Sequence, residues 1–377
     1  MNKITVNTKF DAGSIEVISI DNFNDLRFKI KNDTNSHFAQ WFYFQLNGVK
    51  YQDLKLSLGD LDKTAYPKGW DNYSVCVSYD NEYWFRVPTI IEDNKLQIEF
   101  SSEFNSVYFA YFEPYSYHRH LELIGEANTS ALVTHEVLGQ THEGRNIDLL
   151  VVGNQDCANK IWIIARQHPG ETMAEWFMEG FINHLLDQQN SVSRNLLKNA
   201  VFYLVPNMNP DGAYHGNLRT NATGTNLNRE WVSPSLEKSP EVFYVQQKMH
   251  ESGVSMFFDI HGDEAIPYVF TAGCEENPSF SEKQTAITQL FIDSLLKVTP
   301  DYQTKHGYVR GHFNSELASI ATSWVGDKFD CLSLTLEMPF KDNDDLKDYT
   351  HGWDGRRSYL LGQSFLTAIN MVVSTIG

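Results

Sequence analysis

Ile161-Trp-Ile-Ile-Ala-Arg-Gln-His-Pro-Gly-Glu-Thr-Met-Ala-Glu-Trp-Phe-Met-Glu-Gly-Phe-Ile-Asn-His-Leu185 decides the fold. It opens with the apolar run Ile161–Ala165, the kind that forms a strand buried on both faces. It ends in a helical period, with Ala174, Phe177, Met178, Phe181, Ile182 and Leu185 on one face. Between them, Pro169 and Gly170 force a turn. Comparable apolar runs recur at Ile147–Gly153, Val201–Val205, Met256–Ile260 and Leu332–Leu336. Further helical periods cover residues 282–298 and 356–375. Strands alternating with helices predict an α/β/α arrangement, a mixed sheet covered on both sides.

Upstream of this region the rhythm is different. Phe38–Leu46, Tyr73–Ser78, Tyr83–Val87 and Val107–Tyr111 are short β-rich runs, separated by turn clusters such as Glu92-Asp-Asn-Lys95. That spacing predicts an antiparallel β-sandwich. We therefore divide the chain into a sandwich domain, 1–122, and an α/β domain, 123–377. Its 377 residues exceed what one core usually holds, which agrees with two domains.

Composition narrows the function. The chain is 42% hydrophobic and 13% aromatic, as folded proteins are, and carries a formal net charge of -18. That charge argues against nucleic acid or an anionic membrane as a partner. The four cysteines, Cys76, Cys157, Cys274 and Cys331, form no C-x-x-C pair, which suits free thiols in a reducing compartment. Met1–Phe10 has no apolar leader and no stretch is long enough to span a bilayer, so the expectation is a cytoplasmic protein.

Two H-x-x-E spacings stand out, His168/Glu171 and His261/Glu264. Chance alone supplies such a spacing in a chain this long. Their placement carries more weight, because each opens at the end of an apolar strand, where open α/β sheets put their sites. Two histidines and one glutamate form a ligand set of catalytic zinc, which keeps one position open. Spacing leaves either Glu171 or Glu264 as the carboxylate. Glu337 ends another apolar strand, where a carboxylate needs a partner or a role. Arg219 and Arg229 lie in a polar loop, 216–231, and the guanidinium fork suits carboxylate capture.

Together these segments resemble the carboxypeptidase A-like zinc metallocarboxypeptidases, in particular the cytosolic carboxypeptidase branch. The first ligand motif is similar to Arg166–Glu171, the substrate loop to Asn209–Gly212 with Asn226–Trp231, the later ligand to Asp259–Gly262, and the base to Leu334–Glu337. Upstream, Gln40–Phe44, Ser78–Asp80, Phe85–Pro88 and Tyr111–Ser116 resemble the sandwich domain of that branch. The resemblance implies one Zn2+ ion on His168, Glu171 and His261. It implies Glu337 as general base and proton donor, and Arg219 as the group that polarises the scissile carbonyl. Asn228 and Arg229 would hold the substrate's terminal carboxylate. The implied activity is hydrolysis of the C-terminal peptide bond of a peptide or protein through a zinc-bound water.

Three positions depart from the family pattern. Asn226 stands where an acidic residue usually orients a ligand histidine; its side-chain carbonyl can accept from an imidazole, but without charge. The tyrosine that covers the substrate has Tyr302, Tyr308 and Trp324 as candidates. Members that trim glutamate chains use an arginine before the base. Leu317–Trp324 carries none, and Lys305, Arg310 and Lys328 are the nearby cations. A zinc amidohydrolase on the same fold and a binding module with a degenerate site are the competing readings.

Overall fold

The computed structural model describes residues 3–309 and 311–375. Its catalytic half is built on a seven-stranded sheet. From one edge the strands are Val133–Gln140, Asn146–Val152, Ala200–Val205, Asn159–Ala165, Met256–Asp263, Leu332–Pro339 and Phe270–Gly273. The inner pairs formed by Asn159–Ala165 with its two neighbours, and by Met256–Asp263 with Leu332–Pro339, are parallel; the outer pairs are antiparallel. From Asn159–Ala165 the chain crosses to one side to form Ala200–Val205, then to the other side to form Met256–Asp263. The end of Asn159–Ala165 is therefore a topological switch point.

Alternation along the strands feeds two cores. Ile161, Ile163 and Ala165 face one of them, together with the helices Met173–Leu186, Glu282–Val298 and Gly355–Val372. Trp162 and Ile164 face the other, with the helices Pro240–Ser252 and Ala321–Phe329. The expected helical periods are thus present. Helices Met173–Leu186 and Gly355–Val372 touch through glycines. A Cβ on Gly180 would lie 2.0 Å from Tyr359 O, and one on Gly362 would lie 2.2 Å from Phe177 O.

The N-terminal half contains two five-stranded sheets. One joins Thr5–Asn7, Tyr43–Asn47, Ser106–Ala110, Val75–Ser78 and Trp84–Val87. The other joins Glu16–Ser19, Leu26–Lys29, Asp53–Gly59, Lys95–Ser101 and Thr89–Glu92. Their faces meet through aromatic rings, Phe28 on Phe44 at 4.9 Å and Phe100 on Phe109 at 5.9 Å. The antiparallel sandwich expected from sequence is present, with one parallel pair inside it, Leu26–Lys29 against Asp53–Gly59. Asp93 and Asn94 take positive φ, 51° and 61°, in the tight turn before Lys95–Ser101, where short polar side chains tolerate that backbone.

Arg86 ties the halves together. From the sandwich strand Trp84–Val87 it donates to Ser74 O at 2.7 Å within its own domain. Across the boundary it donates to Phe340 O at 2.7 Å, Trp353 O at 3.0 Å and His351 O at 3.2 Å.

Candidate metal centre and active site

The turn after Asn159–Ala165 is shaped by Arg166. Its backbone sits at φ +58°, a region that non-glycine residues seldom enter. Its buried guanidinium donates to Pro169 O at 2.9 Å and to Tyr115 O at 2.8 Å, and pairs with Glu175. The turn brings His168 and Glu171 to one side. His168 Nδ1 lies 2.7 Å from Glu171 Oε1, and His261 Nδ1, on the neighbouring strand, lies 2.7 Å from Glu171 Oε2. All three residues are buried, and a ligand atom from each lies within 4.8 Å of the others.

The outer contacts place the proton of the His168 ring. Asn226 Oδ1 accepts from Asn228 N–H at 3.1 Å, which identifies that atom as the oxygen. His168 Nε2, 3.1 Å away, must then donate to it. His168 is held neutral, its pKa pushed down to about 3 by burial and by the Arg219 charge. Its Nδ1 is therefore a bare lone pair facing a carboxylate, an arrangement that a cation between them stabilises. His261 Nε2 stands 2.8 Å from Asp259 Oδ2, though off the direction of a good hydrogen bond, and its Nδ1 likewise turns to Glu171. Asp259 Oδ2 also accepts from Gln167 Nε2 at 2.6 Å. Two imidazoles and a carboxylate, braced from outside, fit a zinc ion.

Glu337 lies beside this group. It is buried, and its Oε2 has no partner. Burial raises its carboxyl well above the ordinary range; His261 opposes the shift, while Glu171 and Asp263 add to it. The Tyr308 hydroxyl stands 2.9 Å from Glu337 Oε1 and 3.0 Å from Asp263 Oδ2.

Arg219 projects into the same cavity, of about 990 Å³, flanked by the rings of Tyr66 and Phe38 at 5.5 and 5.7 Å. Asn228 and Arg229 line it further out. Asn228 Oδ1 accepts from Ala321 N at 2.8 Å, and the Arg229 guanidinium pairs with Glu316 at 3.0 Å. The cavity thus gathers His168, Glu171, His261, Glu337, Arg219, Asn228 and Arg229.

Spacing left Glu171 and Glu264 as alternatives. The structure groups Glu171 with the histidines and places Glu264 apart, buried in the cavity wall with Oε1 unpaired. Among the tyrosine candidates, Trp324 packs against Trp231 and His250 in the second core, and the Tyr302 hydroxyl meets Thr271 at 2.7 Å. Of the three, Tyr308 is the one whose hydroxyl meets Glu337. Lys305 lines the cavity, Lys328 is exposed on the helix Ala321–Phe329, and Arg310 lies outside the described residues.

Comparison with known proteins gives this geometry a family. The zinc carboxypeptidase pattern matches residues 119–366. The chain belongs to the zinc carboxypeptidase family. Residues 6–112 match the cytosolic carboxypeptidase N-terminal domain. An uncharacterised protein of Zymomonas mobilis is 42% identical over 99% of this chain and 97% of its own. The crystal structure of a metallo-carboxypeptidase from Burkholderia cenocepacia superposes with a TM-score of 0.97 at 46% identity, covering all of both chains. A metallo-carboxypeptidase from Pseudomonas aeruginosa, solved in complex with (2-guanidinoethylmercapto)succinic acid, gives 0.96 at 43% identity, covering 99% of this chain and 100% of the other.

As a metallocarboxypeptidase the chain is a hydrolase of peptide bonds. Sequence reading missed several residues around this site. Asp259 stands against His261 and is itself held by Gln167; both lay inside the quoted motifs, but neither was given a role. Asp33 grips the Arg219 loop from the sandwich domain and had no signal, since its partners lie more than 180 residues away.

Proposed function

We propose that this metallocarboxypeptidase removes the C-terminal residue of peptides or proteins with one Zn2+ ion held by His168, Glu171 and His261. The observation that carries the reading is the convergence of that donor set, Glu337 and Arg219 on one cavity that also presents Asn228 and Arg229. When bound, zinc supplies a Lewis acid that lowers the pKa of water to about 7. Glu337 takes a proton from the attacking water and returns it to the leaving amine, and its buried, unpaired Oε2 suits that task. Arg219 stabilises negative charge developing on the scissile carbonyl oxygen. Arg229 and the Asn228 amide hold the terminal carboxylate, and the substrate displaces Glu316 from Arg229. Tyr308 is the tyrosine we assign to cover the bound residue, because it lines the cavity with its hydroxyl against Glu337.

No helix among the described residues is long and apolar enough to cross a membrane. We place the enzyme in the cytoplasm, a reading supported by its four free cysteines and its match to a cytosolic carboxypeptidase domain. We take 1–122 and 123–377 as its two units. All strands of the sandwich sheets end by Ala110, and the seven-stranded sheet begins at Val133.

The test is a panel of peptides differing in the last residue, assayed for release of a free amino acid with and without a chelator. The panel includes lysine and arginine termini, because the ligand of the Pseudomonas aeruginosa protein joins carboxylates to a guanidino group. Chelator-sensitive release that stops when the terminus is amidated is expected. Equal cleavage of amidated peptides overturns the proposal.

A further inference from the structure

Asp33 belongs to the sandwich domain, yet its carboxylate lies against the loop that carries Arg219. Its Oδ1 accepts from Leu218 N–H at 2.6 Å, and its Oδ2 from Arg219 N–H at 2.7 Å, Thr220 N–H at 3.0 Å and the Thr220 hydroxyl at 3.1 Å. Three consecutive amides thus converge on one buried carboxylate. Such donors have few other ways of being satisfied away from water. The next two residues extend the grip. Thr34 donates from both N–H and hydroxyl to Asn217 Oδ1, at 3.0 and 3.1 Å, and Asn35 Nδ2 donates to Ala222 O at 2.9 Å. Gly224 seats the far end of the loop, where a Cβ would lie 2.2 Å from Asn35 O.

The same domain sets the side chain of Arg219. Its guanidinium carbon lies 5.7 Å from the Phe38 ring centre and 5.5 Å from that of Tyr66, both sandwich residues. Such contacts favour a cation in a fixed place while leaving its N–H groups free to meet an oxyanion. The loop also touches the metal turn, for Leu218 O accepts from Gly170 N–H at 2.8 Å, between His168 and Glu171. Asp33, Leu218 and Gly170 therefore form a continuous line from the sandwich to the ligand turn.

We infer that the sandwich domain is a working part of the catalytic centre, and that Asp33 is the positioning residue that aims Arg219 at the scissile carbonyl. This rests on the role proposed above for Arg219. Asp33 touches no substrate. Its effect passes through Arg219, in the transition state more than in substrate binding. Displacing a stabilising donor by about 1 Å is enough to slow an enzyme on the order of a hundredfold.

The experiment uses the full-length, zinc-loaded chain and compares Asp33→Ala, Arg219→Ala and the double variant. Asp33→Asn, which keeps the size and one acceptor, is the milder second variant. The expected result for Asp33→Ala is a fall in kcat of roughly tenfold or more with KM little changed and full zinc content. The double variant is expected to be no slower than Arg219→Ala alone, because one function cannot be lost twice. Asp33→Asn is expected to fall between wild type and Asp33→Ala, and to be equally silent in the Arg219→Ala background. If Asp33→Ala does not fold, this pair alone decides. A slow Arg219→Ala with a normal Asp33 variant, or losses that multiply in the double variant, overturns the inference while leaving the role of Arg219 intact. Normal turnover in Arg219→Ala removes that role and the inference together.

Discussion

His261 and Glu337 are register partners on adjacent parallel strands, Met256–Asp263 and Leu332–Pro339. The sheet itself thus fixes the separation of an imidazole of the proposed donor set and the proposed base. Glu337→Gln preserves the strand and the contact with Tyr308 but removes the proton acceptor. It is expected to bind zinc normally and to lose roughly 10²- to 10⁴-fold in kcat. Metal analysis beside steady-state kinetics checks this, and near-normal turnover removes Glu337 from the mechanism.

Asn226 gives His168 Nε2 a neutral acceptor. Asn226→Asp keeps the acceptor for Asn228 N–H and adds a charge that raises the basicity of the ligand. Zinc affinity is expected to rise on the order of tenfold. Competition against a chromophoric chelator measures it, and unchanged affinity counts against His168 as a ligand.

Arg229 is engaged by Glu316, a pair with its glutamate side chain 69% exposed. If a substrate carboxylate takes that place, Glu316→Gln is expected to lower KM by roughly two- to fivefold, the worth of an exposed ion pair, at constant kcat. Arg229→Ala is expected to raise KM instead. An unchanged KM in both variants would move the carboxylate seat elsewhere.

His120 bridges Asp148 at 3.2 Å and Glu175 at 2.8 Å. Burial opposes its charge, but hydrogen bonds to the two carboxylates outweigh it and push the pKa up to about 9. A folded pKa above the unfolded value stabilises the protein fully below about pH 6.5 and ceases to do so as pH rises through about 9. This stabilisation is on the order of 3 kcal/mol. Denaturant midpoints are expected to fall across that window in the wild type and to fall less in His120→Gln. Parallel curves for the two proteins would exclude His120 as the source.

Gly362→Ala tests the close helix contact. In an exposed helix this change stabilises by up to about 1 kcal/mol. Here the new methyl meets Phe177 O, and a net loss of about 1–3 kcal/mol is expected. A higher melting temperature would show that the helices can separate at little cost.

The inner strands and the long helices were legible because burial on both faces writes itself as continuous apolar runs, as in Ile161–Ala165. The outermost strands of the seven-stranded sheet, Val133–Gln140 and Phe270–Gly273, were not among those runs, since each keeps several positions partly exposed. The parallel pairing of Leu26–Lys29 was hidden for another reason, because strand direction depends on distant connections and not on local pattern. Near the site, side chains at strand ends could be found from spacing. Spacing alone could not choose between Glu171 and Glu264, since both sit three residues after a histidine; the family resemblance pointed to Glu171, which the fold groups with the two histidines. Asp33 and Tyr308 act on partners distant in sequence, through backbone amides or a single hydroxyl, and neither contact leaves a periodic trace.

Arg86 has a consequence for how the two domains can change over time. All four of its acceptors are main-chain carbonyls. Every residue type supplies a carbonyl, so positions 74, 340, 351 and 353 can exchange side chains without losing the bond. The donor has no such freedom, because lysine offers no planar fork to reach several directions at once. The junction is therefore tolerant on one side and exacting on the other. Side-chain drift at positions 340, 351 and 353 leaves the Arg86 contacts intact, whereas one change at Arg86 removes the donor from all four carbonyls together.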